Sequence, residues 1–139
     1  MNAYRWSELR EGLSEEFEAE LTPRMLQEFL RISGDHNPLH ADAEFARHAG
    51  FRDVVAPGML VSALYSRLVG VYLPGRYCFL HGIDLDFVKP AFAGDRLRVF
   101  GQICHLNQAY RRAELKAAIH GTNGELISKA KIRVGLNEH

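Results

Sequence analysis

Residues 33–46 read SGDHNPLHADAEFA and gather Asp35, His36, His40 and Asp42 into one short stretch broken by Gly34 and Pro38. Three readings suit such a set: a metal cage, a proton-transfer pair, or the ordinary polar residues of a solvated turn. A cage would use all four as ligands. No distant ligand set accompanies them, however, and His36 and His40 flank a proline turn instead of sharing one helix face. A proton-transfer pair needs only one carboxylate and one imidazole around the same water, and this set offers two of each. His36 reads as a solvent-facing loop residue under either of the last two readings.

The flanking elements must position these groups. Phe17, Ala19 and Leu21 alternate with Glu16, Glu18 and Glu20, which predicts an edge strand with one solvated face. Thr22 is set to cap a helix with Pro23 at its first position and Met25, Leu26, Phe29 and Leu30 as its apolar stripe, and Ser33-Gly34 ends it. Asp35 therefore leaves a helix C-terminus, Asn37-Pro38 turns the chain, and a short helix over Ala43–Arg47 follows with Asp42 near its start. From Gly58 to Tyr72 the residues are apolar on almost every side, which predicts one helix, roughly 22 Å long, buried all round. After Pro74-Gly75 the pattern is of strands: Phe79–Val88, interrupted at Lys89-Pro90, then three alternating runs over residues 97–104, 113–120 and 126–134, with a hairpin turn at Thr122-Asn123-Gly124. These strands are expected to form an antiparallel meander curved around the helix, an α+β domain.

Composition narrows the function classes. Lys and Arg total 17 against 17 Asp and Glu, so a net charge of zero gives no general attraction to nucleic acid or to an anionic membrane. The longest apolar run contains Pro57 and Arg67 and suits a buried helix better than a membrane span. Cys78 and Cys104 lie in separate segments without CxxC spacing and read as reduced thiols of a cytoplasmic protein; the polar N-terminus is not a signal peptide. With no repeat or linker, residues 1–139 are expected to form a single domain.

The run Ser33-Gly34-Asp35-x-Asn37-Pro38-Leu39-His40, with Ala46 after it, resembles the signature of MaoC-like dehydratases and (R)-specific enoyl-CoA hydratases. The likeness extends from the Trp6 region to Val134 and includes VVAPGML, LPG and DFVKPAFAGD. It implies the hot-dog fold and reversible hydration of 2-enoyl thioesters to (R)-3-hydroxyacyl thioesters, on an acyl-CoA or acyl carrier protein, by a homodimer with no metal or cofactor. Asp35 and His40 match the catalytic pair of that family and the Gly58 N–H its oxyanion donor, while Ser66 falls where relatives carry a polar residue facing the site. Pro57 departs from the pattern, since many members have His there, and a proline offers no N–H to a neighbouring substrate contact.

The chemistry agrees with those roles. Hydration needs a water held at C3, a proton delivered at C2, and a donor for the thioester oxygen as it gains charge. The first turn of a buried helix presents free N–H groups, and Gly58 allows close approach. Plainer readings stand beside these: Asn37 makes a local Asx bond that aims Asp35, Ser66 back-bonds within its helix, and Lys129, Lys131 and Arg133 are a wet sheet face. A hot-dog thioesterase would carry its acid on the central helix, which has no Asp or Glu. A non-catalytic acyl-thioester-binding domain is the other alternative.

Overall fold

The computed structural model describes residues 1–138. After a 3-10 turn at Trp6–Glu8 comes β1 (Ser14–Glu20), whose Phe17 is buried while Glu16, Glu18 and Glu20 face solvent. Thr22 Oγ1 accepts the Met25 N–H at 3.2 Å and starts α1 (Pro23–Ser33), which Gly34 ends at φ +70°. Two short helices follow, α2 (Pro38–Ala41) and α3 (Ala43–His48). The turn expected at Asn37-Pro38 is thus a helical one, with proline at its first position.

The central helix is α4 (Gly58–Arg67), prolonged by a π-helical turn over Leu68–Tyr72 in which the Leu73 N–H reaches back to the Leu68 carbonyl at 2.9 Å. It is not buried all round. Leu60, Val61, Leu64, Tyr65, Leu68 and Val69 are buried, but Met59, Ala63, Ser66, Arg67 and Gly70 form an exposed stripe, with Met59 62% exposed. A helix laid in the concavity of one curved sheet has a side the sheet does not cover, and here that side carries apolar residues as well.

Four further strands complete one antiparallel sheet: β2 (Cys78–Phe87), β3 (Arg96–Asn107), β4 (Arg112–His120) and β5 (Leu126–Leu136), in the order β1-β3-β4-β5-β2. Only β3, β4 and β5 form the expected meander. The chain leaves β2 at Lys89-Pro90 and crosses the domain, so β2 pairs with β5 and becomes an edge, while β1 covers β3. Alternate residues Leu97, Val99 and Ile103 of β3, Leu115 and Ile119 of β4, and Ile132 and Val134 of β5 point inward and are essentially inaccessible. Gly101 lets the helix seat deeply, since a Cβ there would stand 2.6 Å from Leu68 Cδ2. Ser128 faces the helix too, fully buried, and its hydroxyl accepts from Tyr65 OH at 3.0 Å and donates to the Asp86 carbonyl at 2.9 Å.

Candidate active site

The loop between α1 and α3 owes its shape to short-range polar bonds. The Asp35 N–H donates to Ser33 Oγ at 3.2 Å, Asp35 Oδ1 accepts the Asn37 N–H at 3.0 Å, and Asn37 Oδ1 accepts the Leu39 N–H at 2.9 Å. Asn37 therefore makes the expected Asx bond. Asp42 is spent on its own helix, its Oδ1 accepting from the Glu44 and Phe45 N–H groups at 2.9 and 3.1 Å. His36 is exposed. Among the described residues no three His, Cys, Asp or Glu side chains converge as a metal site. The four residues that could have formed a cage are divided among a cap, a solvated position and a facing pair.

That pair is Asp35 and His40. Asp35 Oδ2 lies 3.6 Å from His40 Nε2, with the two side chains 40% and 14% exposed. The opposite ring nitrogen, Nδ1, is 2.6 Å from the Val55 carbonyl oxygen. A carbonyl can only accept, so Nδ1 carries the hydrogen and Nε2 is the ring nitrogen turned toward the carboxylate. Val55 holds this loop twice, because its N–H also donates to the Leu39 carbonyl at 3.0 Å. At 3.6 Å the two side chains are beyond direct hydrogen bonding.

Val55 is itself fixed by an isolated bridge to Phe92, and the Ala56 N–H donates to the Ala91 carbonyl at 2.8 Å. These bonds carry the chain into Gly58, the first residue of α4, whose N–H has no intrahelical acceptor by the geometry of a helix start. His40 and Gly58 line one cavity of about 330 Å³, walled by Phe51, Val61, Phe87 and Ile127. Pro57 is buried at the helix N-cap, where its carbonyl accepts from Leu60 and Val61; it does not line the cavity. Ser66 is not brought to this site. It is exposed and borders a separate cavity of about 90 Å³ with Met59, Ser62 and Leu80. The exposed stripe of α4 turns it away from His40.

Two participants escape the sequence reading. Val55 acts through its main chain, which no residue type announces. Phe87, half-exposed, lays its ring against Gly58 in the cavity wall: a Cβ on Gly58 would stand 2.9, 3.0 and 3.1 Å from ring atoms Cζ, Cε1 and Cε2. An aromatic residue just before Lys89-Pro90, where a strand must end, is the one available signal for it.

Comparison with known proteins agrees with this architecture. A model of the MaoC like domain family matches residues 7–122. A mitochondrial 3-hydroxyacyl-(acyl-carrier-protein) dehydratase of Solanum lycopersicum is 39% identical over 101 residues, 71% of this chain and 60% of the tomato protein. The (R)-specific enoyl-CoA hydratase of Aeromonas caviae is 35% identical over 98 residues, 70% of this chain and 73% of that one. Among solved structures, the unliganded R-hydratase of Pseudomonas aeruginosa superposes with a TM-score of 0.89 at 29% identity, covering 96% of this chain and 86% of the other. The A. caviae (R)-hydratase gives 0.88 at 29% identity, over 93% and 98%. The five-stranded antiparallel sheet wrapped on one helix is the hot-dog fold, and the chain belongs to the MaoC-like domain family.

Proposed function

We propose that the protein is a hydro-lyase that adds water to 2-enoyl thioesters, giving (R)-3-hydroxyacyl thioesters, and runs the reverse dehydration. The reading rests on one observation above all: a histidine whose Nδ1 is pinned by the Val55 carbonyl turns Nε2 toward a carboxylate 3.6 Å away, beside the open amide of a helix start. His40 Nε2 takes a proton from the water as its oxygen bonds to C3. The C2=C3 electron pair moves toward the thioester, whose oxygen gains charge against the Gly58 N–H. Asp35 orients the water and stabilises the imidazolium, which then returns its proton to C2. Atoms balance as one water added, and no other reactant is consumed.

Similarity to the tomato and A. caviae enzymes supports the substrate class, with coenzyme A and an acyl carrier protein as the two carriers. A homodimer is part of the proposal. Edge strand β2 leaves Phe79 and Leu80 61% and 45% exposed, Leu80 beside Met59, and an uncovered edge of that kind favours pairing with a second copy. Incubation with (2E)-butenoyl-CoA, following enoyl absorbance and free thiol together, tests the activity. Loss of the enoyl band without thiol is expected. Thiol release would make the protein a thioesterase, and no change in either would leave an acyl-thioester binder.

A further inference from the structure

We infer that Asp95 is a positioning residue for His40, stapling together the two loops from which the imidazole takes its setting. His40 hangs by Nδ1 on the Val55 carbonyl, so the direction of that carbonyl decides where Nε2 points. Val55 belongs to the loop that leads into α4, and its bridge to Phe92 binds that loop to the segment before β3. Both loops wall the cavity shared by His40 and Gly58, the first with Phe51, Val55 and Ala56, the second with Pro90 and Ala91.

Asp95 divides its two carboxylate oxygens between these loops. Oδ1 accepts from Arg52 Nη2 at 2.7 Å, and Oδ2 accepts the Phe92 N–H at 2.9 Å. The Arg52 guanidinium also lies 4.1 Å from the centre of the Phe92 ring, so one side chain grips the carboxylate and the residue that bridges to Val55. Arg52 is 62% exposed, but the Asp95 side chain is only 16% exposed, and a charge-assisted bond with one end so covered holds better than a pair wholly in water. Asp95 is tied in turn to the core. Its carbonyl accepts from the N–H of Leu21, 1% exposed, at 2.8 Å, and the Gly94 N–H donates to the Leu21 carbonyl at 2.7 Å. The staple is therefore anchored at one end and reaches His40 at the other.

Arg52, Phe92 and Asp95 do not line the cavity, so they act on it only through the backbone they hold. Loosening the Val55 carbonyl would let the ring swing, and proton transfer falls steeply once the acceptor leaves its line. That effect on turnover rests on the proposed reaction, whereas the setting of the ring does not.

The test uses two variants of the full chain. An amide has one oxygen, so Asp95→Asn can hold Arg52 or the Phe92 N–H but not both. Arg52→Ala releases the same contact from an exposed position and decides the matter if Asp95→Asn does not fold. In 15N-labelled protein, solvent exchange of the His40 ring N–H, identified by its absence in His40→Gln, is compared with that of the indole N–H of Trp6. This single tryptophan donates to Gln108 at 2.8 Å, in the turn between β3 and β4, and reports any general loosening of the fold. Relative to the indole, the His40 N–H is expected to exchange at least about fivefold faster in each variant, and kcat on (2E)-butenoyl-CoA to fall at least about threefold. A smaller change in the exchange ratio overturns the inference, as does faster exchange with a smaller loss of kcat. A wild-type His40 N–H that exchanges too fast to be seen overturns it too, since the ring then has no fixed setting to lose. If the wild type hydrates nothing, the proposed reaction fails and the exchange ratio alone decides whether Asp95 positions the ring.

Discussion

Asp35→Asn removes one charge and almost nothing else. The amide oxygen can still accept the Asn37 N–H, so the loop keeps its Asx bond, and the partly exposed site should tolerate the change with a thermal shift equivalent to no more than about 1 kcal/mol. In the proposed reaction the loss falls on the imidazolium formed during proton transfer. At 3.6 Å, a carboxylate stabilises it by about 1.2 kcal/mol if the surroundings respond like water, and by about 4.6 kcal/mol at an effective dielectric near 20. His40 is 14% exposed and Asp35 40%, which places the pair between these limits and nearer the second. Each tenfold in rate is about 1.4 kcal/mol, so kcat should fall by about 10²–10³. Enoyl absorbance at saturating (2E)-butenoyl-CoA gives kcat, and a melting curve on the same sample shows whether the fold survived. A folded Asp35→Asn protein with kcat within threefold of wild type would refute the charge argument and remove Asp35 from the mechanism.

Other expectations follow from the same geometry. Gly58→Ala puts a methyl into the space held by the Phe87 ring and should lower kcat/KM by about 10²-fold, checked by steady-state kinetics beside a melting curve. Ser66→Ala should leave kcat/KM within about twofold, since Ser66 borders a different cavity; a tenfold loss would show that it reaches substrate. Burial pushes the Cys78 thiol from 9.0 up to about 11 and the Tyr65 phenol from 10.0 to about 12, the latter against the opposing bond to Ser128. Above the lower value of each pair the unfolded chain sheds its proton while the folded one keeps it. Stability should therefore decline by roughly 1.4 kcal/mol per unit for each group within its own window, pH 9 to 11 for Cys78 and pH 10 to 12 for Tyr65, and Tyr65→Phe should flatten the decline between pH 10 and 12 in melts across that range.

Period and punctuation made most of the fold legible. Alternation marked β1 and β3–β5 because each buries one face only, and Thr22-Pro23 with Gly34 marked both ends of α1. The place of β2 was not legible. Its order in the sheet depends on a crossing that local pattern does not encode, and its partly exposed residues follow no clean alternation. The central helix misled for a related reason: Met59 and Ala63 are apolar on its uncovered side, so composition suggested burial where the sheet supplies none. At the candidate site, Asp35, Asn37 and His40 stood out because their types and spacing are uncommon. Ser66 was placed by likeness alone, and the helix turn on which it sits faces elsewhere.

The grip on His40 has a consequence for how this site tolerates change. Both groups that Val55 contributes, the N–H to Leu39 and the carbonyl to the imidazole, belong to the peptide backbone. Any residue but proline would supply the pair, so a saturation scan at position 55 should register only how each side chain fits the cavity wall, while the ring keeps its protonation pattern throughout. The setting of the histidine is inherited from the path of the chain and not from the codon at position 55, which leaves that residue free to drift, under the proposed reaction, toward new acyl groups without disturbing the ring.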